Sequence, residues 1–138
     1  MSPSLRLVIR TPREIVFDRT VRAARVPAES GQVGLRPRQE PLVLVVEPGL
    51  LVLRVDGGAT FAATAGGLLE GGREAAILYT PFAVVGERDE DVLAALDRAL
   101  AEPEGELAAR RRLGELEQRI VQELRARPPL PRARSADA

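Results

Sequence analysis

The stretch Leu42-Val43-Leu44-Val45-Val46-Glu47-Pro48-Gly49-Leu50-Leu51-Val52-Leu53-Arg54-Val55-Asp56-Gly57-Gly58 decides the fold. Leu42 to Val46 is apolar and rich in β-branched residues, and it stops at Glu47-Pro48-Gly49, a turn signal. Leu50 to Val55 follows and closes at Asp56-Gly57-Gly58, a hairpin-type turn. Both runs have strand length. The longest apolar run, Pro41 to Leu53, is interrupted by Glu47, Pro48 and Gly49 and cannot span a membrane as a helix.

The same rhythm extends in both directions. Upstream lie Leu5 to Arg10, stopped by Thr11-Pro12, then Glu14 to Phe17, then Val21 to Val26, ended by Pro27. Downstream lie Thr60 to Thr64, Gly67 to Glu70, Ala75 to Tyr79 and Phe82 to Val85. Short strands with turn signals at this spacing suggest an antiparallel sandwich or barrel, and the chain reads as a β-sandwich of about ten strands over residues 1–86. Hydrophobic residues make up 45% of the chain but aromatics only 3%, so its core is built from Val, Leu and Ala.

At Gly86 the pattern changes. Arg88-Asp89-Glu90-Asp91 places acids at a helix start, where the macrodipole favours them. Val92, Leu93, Leu96, Ala99 and Leu100 then recur at helical spacing. Pro103-Glu104-Gly105 breaks this helix, and a second begins near Glu106 with Leu107, Leu113, Leu116, Ile120 and Leu124 as its stripe. Glu106/Arg110, Glu115/Arg119 and Glu123/Arg127 are i,i+4 pairs in the favoured orientation. Pro128-Pro129 ends it. The expected class is therefore α+β: a sandwich over 1–86, a helical hairpin over 87–127 and a disordered tail over 128–138. The two helices can pair with each other, or the second can lie on an acidic surface elsewhere.

Composition excludes several activities. The 138 residues contain no Cys, His, Trp or Lys, and all 20 basic residues are Arg. That removes disulfides and thiol nucleophiles, ordinary zinc sites, Ser-His-Asp catalysis, Schiff bases and a P-loop lysine. The formal net charge is zero but unevenly spread. Residues 1–86 carry ten Arg against eight acids, 87–106 two against eight, and 107–138 eight against four. No clustered basic face with stacking aromatics marks a nucleic-acid binder. The first residues lack the apolar centre of a signal peptide, so a soluble, cytoplasmic protein is expected.

Pro27 to Leu42 carries the most information about function. Gly31 and Gly34 permit positive φ or close backbone approach, and the prolines stiffen the path. An ordinary inter-strand loop accounts for this composition; so does a rigid loop presenting Gln32, Arg36 and Arg38 to a partner. Gly66-Gly67 and Gly71-Gly72 are better read as turns than as a phosphate loop, since no Lys or helix start follows them. Asp89 and Asp91 suit a helix start better than a cation site. Arg110, Arg111 and Arg112 point about 100° apart around a helix, so they form no common face; solvation with salt bridges explains them, as does contact with an acidic partner.

Taken together, Thr11-Pro12, Val16-Phe17-Asp18, Gly31-x-x-Gly34-Leu35-x-Pro37-Arg38-Gln39-x-Pro41-Leu42, Pro48-Gly49-Leu50-Leu51 and Gly66-Gly67-Leu68-Leu69-Glu70 resemble, in order and spacing, the epsilon subunit of F-type rotary ATP synthases. The resemblance covers roughly residues 4–86, and the helical hairpin falls where the family has one. Gln39 stands where the family usually has His. The Ala28-Glu29-x-Gly31 and Leu35-x-Pro37-Arg38 variants are similar to the alternate, N-type branch, associated with sodium-translocating enzymes.

The resemblance implies a non-catalytic central-stalk subunit at the cytoplasmic face of the bacterial membrane, peripheral, without cofactor or metal. Its sandwich would pack on the gamma subunit. Gly31, Gln32, Gly34, Arg36, Arg38 and Gln39 would touch the polar loops of the membrane c-ring. Arg110, Arg111, Arg112 and Arg119 would meet an acidic loop of the catalytic beta subunits and brake ATP hydrolysis. Some family members bind ATP through an I/L-D-x-x-R-A pattern; here Asp91-Val92-Leu93-Ala94-Ala95 has Ala94 where Arg is needed, so no regulatory ATP site is expected. The competing class is a free-standing sandwich that binds protein or carbohydrate. Sugar recognition usually wants exposed Trp or Tyr, and the chain has no Trp and one Tyr. A hydrolase working from carboxylates alone finds no pair that stands out.

Overall fold

The computed structural model describes residues 3–101, 117–122 and 125. The described strands run β1 Leu5–Arg10, β2 Ile15–Val21, β3 Ala23–Ala28, β4 Gly31–Leu35, β5 Leu42–Val46, β6 Gly49–Val55, β7 Gly58–Thr64, β8 Gly67–Gly71, β9 Ala75–Tyr79 and β10 Ala83–Gly86. They form two five-stranded sheets, β2-β1-β9-β8-β5 and β10-β7-β6-β3-β4. Pairing is antiparallel except between β1 and β9, which run parallel with Val8 beside Ile77. Strands β2 to β8 intervene between those two, which supplies the long connection that a parallel pair needs.

Alternation fills the space between the sheets. Leu5, Leu7 and Ile9 of β1 are fully buried, as are Leu51 and Leu53 of β6, Leu69 of β8 and Leu78 of β9. Phe17 joins the same aliphatic cluster. Strand β7 is apolar on both sides. Ala62 faces this core, while Ala63 packs with Phe61 into a second cluster under the helix α1, Asp89–Leu100. Val92 and Leu96, one helical turn apart, are the buried anchors of α1. Its first turn carries Asp89, Glu90 and Asp91. Asp89 Oδ1 accepts the Glu90 N–H at 2.8 Å, and Arg88 pairs with Glu90. These contacts use the acids as helix-start electrostatics, satisfying a donor that would otherwise be orphaned.

Strand β4 departs from the expected inter-strand loop. Glu29 and Ser30 make a two-residue turn between Ala28 and Gly31, which face each other in the β3–β4 register. Gly31 takes φ +115° there, a conformation costly for other residues. Leu35 is fully buried and Val33 packs against the core. The alternation Val33-x-Leu35 was the available signal, hidden among glycines and prolines. Strand β3 also continues through Pro27, past its expected end. Its pairing with β6 covers Ala23 to Arg25, so the missing N–H of Pro27 leaves no β6 partner unsatisfied.

Residues 117–122 are helical and lie against strand β5. Gln118 Nε2 donates to the Val46 carbonyl at 3.4 Å, Gln122 Nε2 to Glu29 at 3.3 Å, and the Arg125 guanidinium to the Val43 carbonyl at 3.2 Å. The residues turned to the sandwich are thus 118, 122 and 125, at helical spacing. Ile120, expected in the buried stripe, is 47% exposed. The expectation ranked apolar residues, whereas polar side chains here reach main-chain acceptors. The other stripe residues, Arg110 to Arg112, the segment 128–138 and, from the three i,i+4 pairs, Glu106, Glu115, Glu123 and Arg127 lie outside the described residues.

Candidate interaction surfaces

The six loop residues divide between two ends of the molecule. Strand β4 carries Gly31, Gln32 and Gly34, and an extended strand advances about 3.3 Å per residue. Gly31 therefore lies roughly 13 Å from Leu35 and from the turn that follows it. Gly31, Gln32 and Gly34 are exposed along this sheet-edge strand. Arg36 and Arg38 are exposed at the far end, with Gln39 half-buried between the turn and β8.

That second turn is tightly tied. Gln39 Oε1 accepts the Arg36 N–H at 3.1 Å. The Arg38 N–H donates to the Arg73 carbonyl at 2.7 Å. Arg38 holds φ +64°, a left-handed conformation that costs a non-glycine residue about 1 kcal/mol or more. Gln39 Nε2 is buried with no hydrogen-bond partner among the described residues. The turn is thus fixed by backbone and amide contacts, which leave the Arg36 and Arg38 side chains free to project from the end of the sandwich.

The glycine pair Gly66-Gly67 lies where the chain leaves β7 and enters β8 in the opposite sheet. A Cβ on Gly66 would meet the Val46 carbonyl oxygen at 2.6 Å, and Gly66 holds φ +81°. The pair serves this crossing, as a turn.

Sequence patterning did not single out the outer face of the first sheet. Strand register places Arg10, Tyr79, Leu68 and Val45 in one row across β1, β9, β8 and β5. An adjacent row carries Val8, Ile77, Glu70 and Val43. Tyr79 is 41% and Val43 54% exposed, as is Ile15 at 54% on the neighbouring edge strand β2. The first row floors a cavity of about 550 Å³, whose opposite wall includes Glu117, Gln118 and Val121. On the second sheet, α1 covers the corresponding apolar face.

Some of the surface charge is paired. Arg6 donates from Nε and a terminal nitrogen to the two carboxylate oxygens of Asp18, at 2.9 and 2.8 Å. These hydrogen bonds hold the Asp18 carboxyl below the ordinary carboxylate range, with the Arg6 charge adding to the effect. Arg22 pairs with Asp56 at 2.5 Å. Arg119 is exposed. Among the described residues no group of three or more acids could hold a metal ion, and no helix is long and apolar enough to cross a membrane.

These features define a ten-stranded two-sheet sandwich that carries helices at its C-terminal side. A family model described as the β-sandwich domain of the ATP synthase delta/epsilon chain matches residues 4–83, and the chain belongs to that family. It is 36% identical over 124 residues to the ATP synthase epsilon chain of Nitrosococcus oceani, covering 83% of this chain and 86% of that one. It is 32% identical over 90 residues to the epsilon chain of Polaromonas naphthalenivorans, and 32% over 83 residues to the chloroplastic epsilon chain of Coffea arabica. Those two matches span 65% and 63% of the relatives' lengths, and 64% and 60% of this chain. Among solved structures, a chain of the Euglena gracilis mitochondrial ATP synthase, in an OSCP/F1/c-ring assembly, aligns with TM-score 0.57 and 26% identity over 81% of this chain and 73% of that one. A chain of the Tetrahymena thermophila central stalk and c-ring assembly shares the fold, at TM-score 0.51 and 12% identity over 82% of this chain and 91% of that one.

Proposed function

We propose that this chain is a non-catalytic central-stalk subunit of an F-type ATP synthase, peripheral at the cytoplasmic face of a bacterial membrane. The observation that carries the reading is the family match over residues 4–83, on a sandwich whose first sheet leaves Val43 and Tyr79 exposed on its outer face. That face suits a protein neighbour, for which the gamma subunit is the candidate. The β4 edge and the Arg36–Gln39 turn are candidate contacts for the polar loops of the c-ring. A dense aliphatic core resists deformation, as a part that transmits torque requires. No cofactor is needed for this role.

In the same reading, residues 1–86, 87–127 and 128–138 act as sandwich, helical hairpin and tail. The hairpin has two docks. On the sandwich, α1 buries Val92 and Leu96 and the second helix is held by the polar ties at Gln118, Gln122 and Arg125. Away from it, Arg110, Arg111, Arg112 and Arg119 meet the catalytic beta subunits and slow hydrolysis. A difference of a few kcal/mol between docks is enough for switching. Deleting residues 87–138 in the assembled enzyme should leave assembly intact and raise ATP hydrolysis. Unchanged hydrolysis would reduce the hairpin to a structural cover.

A further inference from the structure

The geometry points to a binding site for a small amphipathic monoanion, a medium-chain carboxylate, in the cavity between the first sheet and the second helix. The cavity, about 550 Å³, has the size of a small-ligand site. Its floor is the register row Arg10, Tyr79, Leu68 and Val45. Neighbouring strands lie about 4.8 Å apart, so this row is roughly 14 Å long. It is polar at one end and apolar at the other. Val121 and Pro12 add apolar lining.

The polar groups of the lining are largely engaged. The Thr80 hydroxyl donates to the Phe82 carbonyl at 3.0 Å. The Thr11 hydroxyl donates to the Glu14 carbonyl and accepts the Arg13 N–H. Gln118 is held by Val46. The Arg10 guanidinium and the Tyr79 hydroxyl remain, side by side on β1 and β9, with no side-chain partner among the described residues. Both can donate to one carboxylate, while the alkyl tail lies over Leu68 and Val45 against Val121. Glu117 on the opposite wall repels the same headgroup. A ligand seated there touches the sandwich and the second helix at once, so it holds the helix down.

The test uses the full chain with decanoate, below its micelle concentration, and decyl alcohol as the uncharged control. Tyr79 is the sole tyrosine and the chain has no Trp, so intrinsic fluorescence reports from the cavity floor. Decanoate should give a saturable change and slow tryptic cleavage after Arg119 and Arg125. Arg10→Gln, at an exposed position, should weaken decanoate about tenfold, and decyl alcohol should bind the native chain about tenfold more weakly than decanoate does. Glu117→Gln should tighten decanoate about threefold. Absence of saturation, equal affinity for acid and alcohol, or indifference to Arg10→Gln would overturn the site. None of these readouts involves an ATP synthase, so failure here leaves the stalk reading intact.

Discussion

Gly67 lies so close to Tyr79 that a Cβ at position 67 would sit 1.9 Å from the Tyr79 carbonyl oxygen. The two residues meet where the chain enters the first sheet beside β9, so the close approach fixes how the second sheet hands over to the first. Gly67→Ala must push one backbone off the other. We expect a loss of at least about 3 kcal/mol in urea unfolding, the upper end of what most single substitutions cost. Gly57→Ala is the control: it also holds a positive φ, +87°, but a Cβ there meets nothing within 4 Å. It should cost about 1 kcal/mol.

Helix α1 is held to the second sheet by Val92 and Leu96. Leu96→Ala should cost about 2–4 kcal/mol of docking free energy, from lost burial and the cavity left behind. Hydrogen exchange should then accelerate across 89–100 while β1 and β9, in the other sheet, stay protected. Uniform acceleration through both sheets would mean that helix and sandwich unfold as one unit.

Acid titration should reveal the Arg6–Asp18 pair. The Asp18 pKa is lowered in the folded chain, so its contribution is present above the unfolded carboxylate value of about 3.9 and is lost as pH falls through the folded value. Carboxyl NMR should place Asp18 below that value in the native protein. Arg6→Gln should return it toward the ordinary range. Because both side chains are exposed, the effect on stability should be small.

Much of the sandwich was legible because strand length and alternation are local properties. Leu42–Val46 and Ala75–Tyr79 read with their observed bounds. Strand β2 runs past Phe17 to Val21, and that extension was not legible because Asp18, Arg19 and Thr20 are exposed and carry no apolar signal. Strand β4 was masked by Gly31 and Gly34, whose conformational freedom reads equally as loop. Gly66 and Gly67 read as a turn, but the contacts that require them, with Val46 and Tyr79, come from residues distant in sequence. For the same reason the row Arg10, Tyr79, Leu68 and Val45 was invisible: it needs the register of four strands. The polar ties from Gln118 and Arg125 are directed at main-chain carbonyls, which no side-chain pattern records, and Gln122 reaches the carboxylate of Glu29, far away in sequence.

Those ties predict how the second helix is released. Replacing Gln118, Gln122 and Arg125 together by Ala should speed tryptic cleavage after Arg119 while leaving the sandwich's unfolding midpoint within about 0.5 kcal/mol. An unchanged cleavage rate would show that contacts other than these hold the helix.

The central claim is that this sandwich is gripped by the stalk of a rotary ATP synthase. Affinity purification of the tagged full chain, co-expressed with the gamma, catalytic and c subunits of its own genome, tests it most directly. The account predicts stoichiometric recovery of gamma with the chain, abolished by charged substitutions at Val43 and Tyr79. Recovery of the chain alone, from cells in which the other subunits assemble normally, would contradict it.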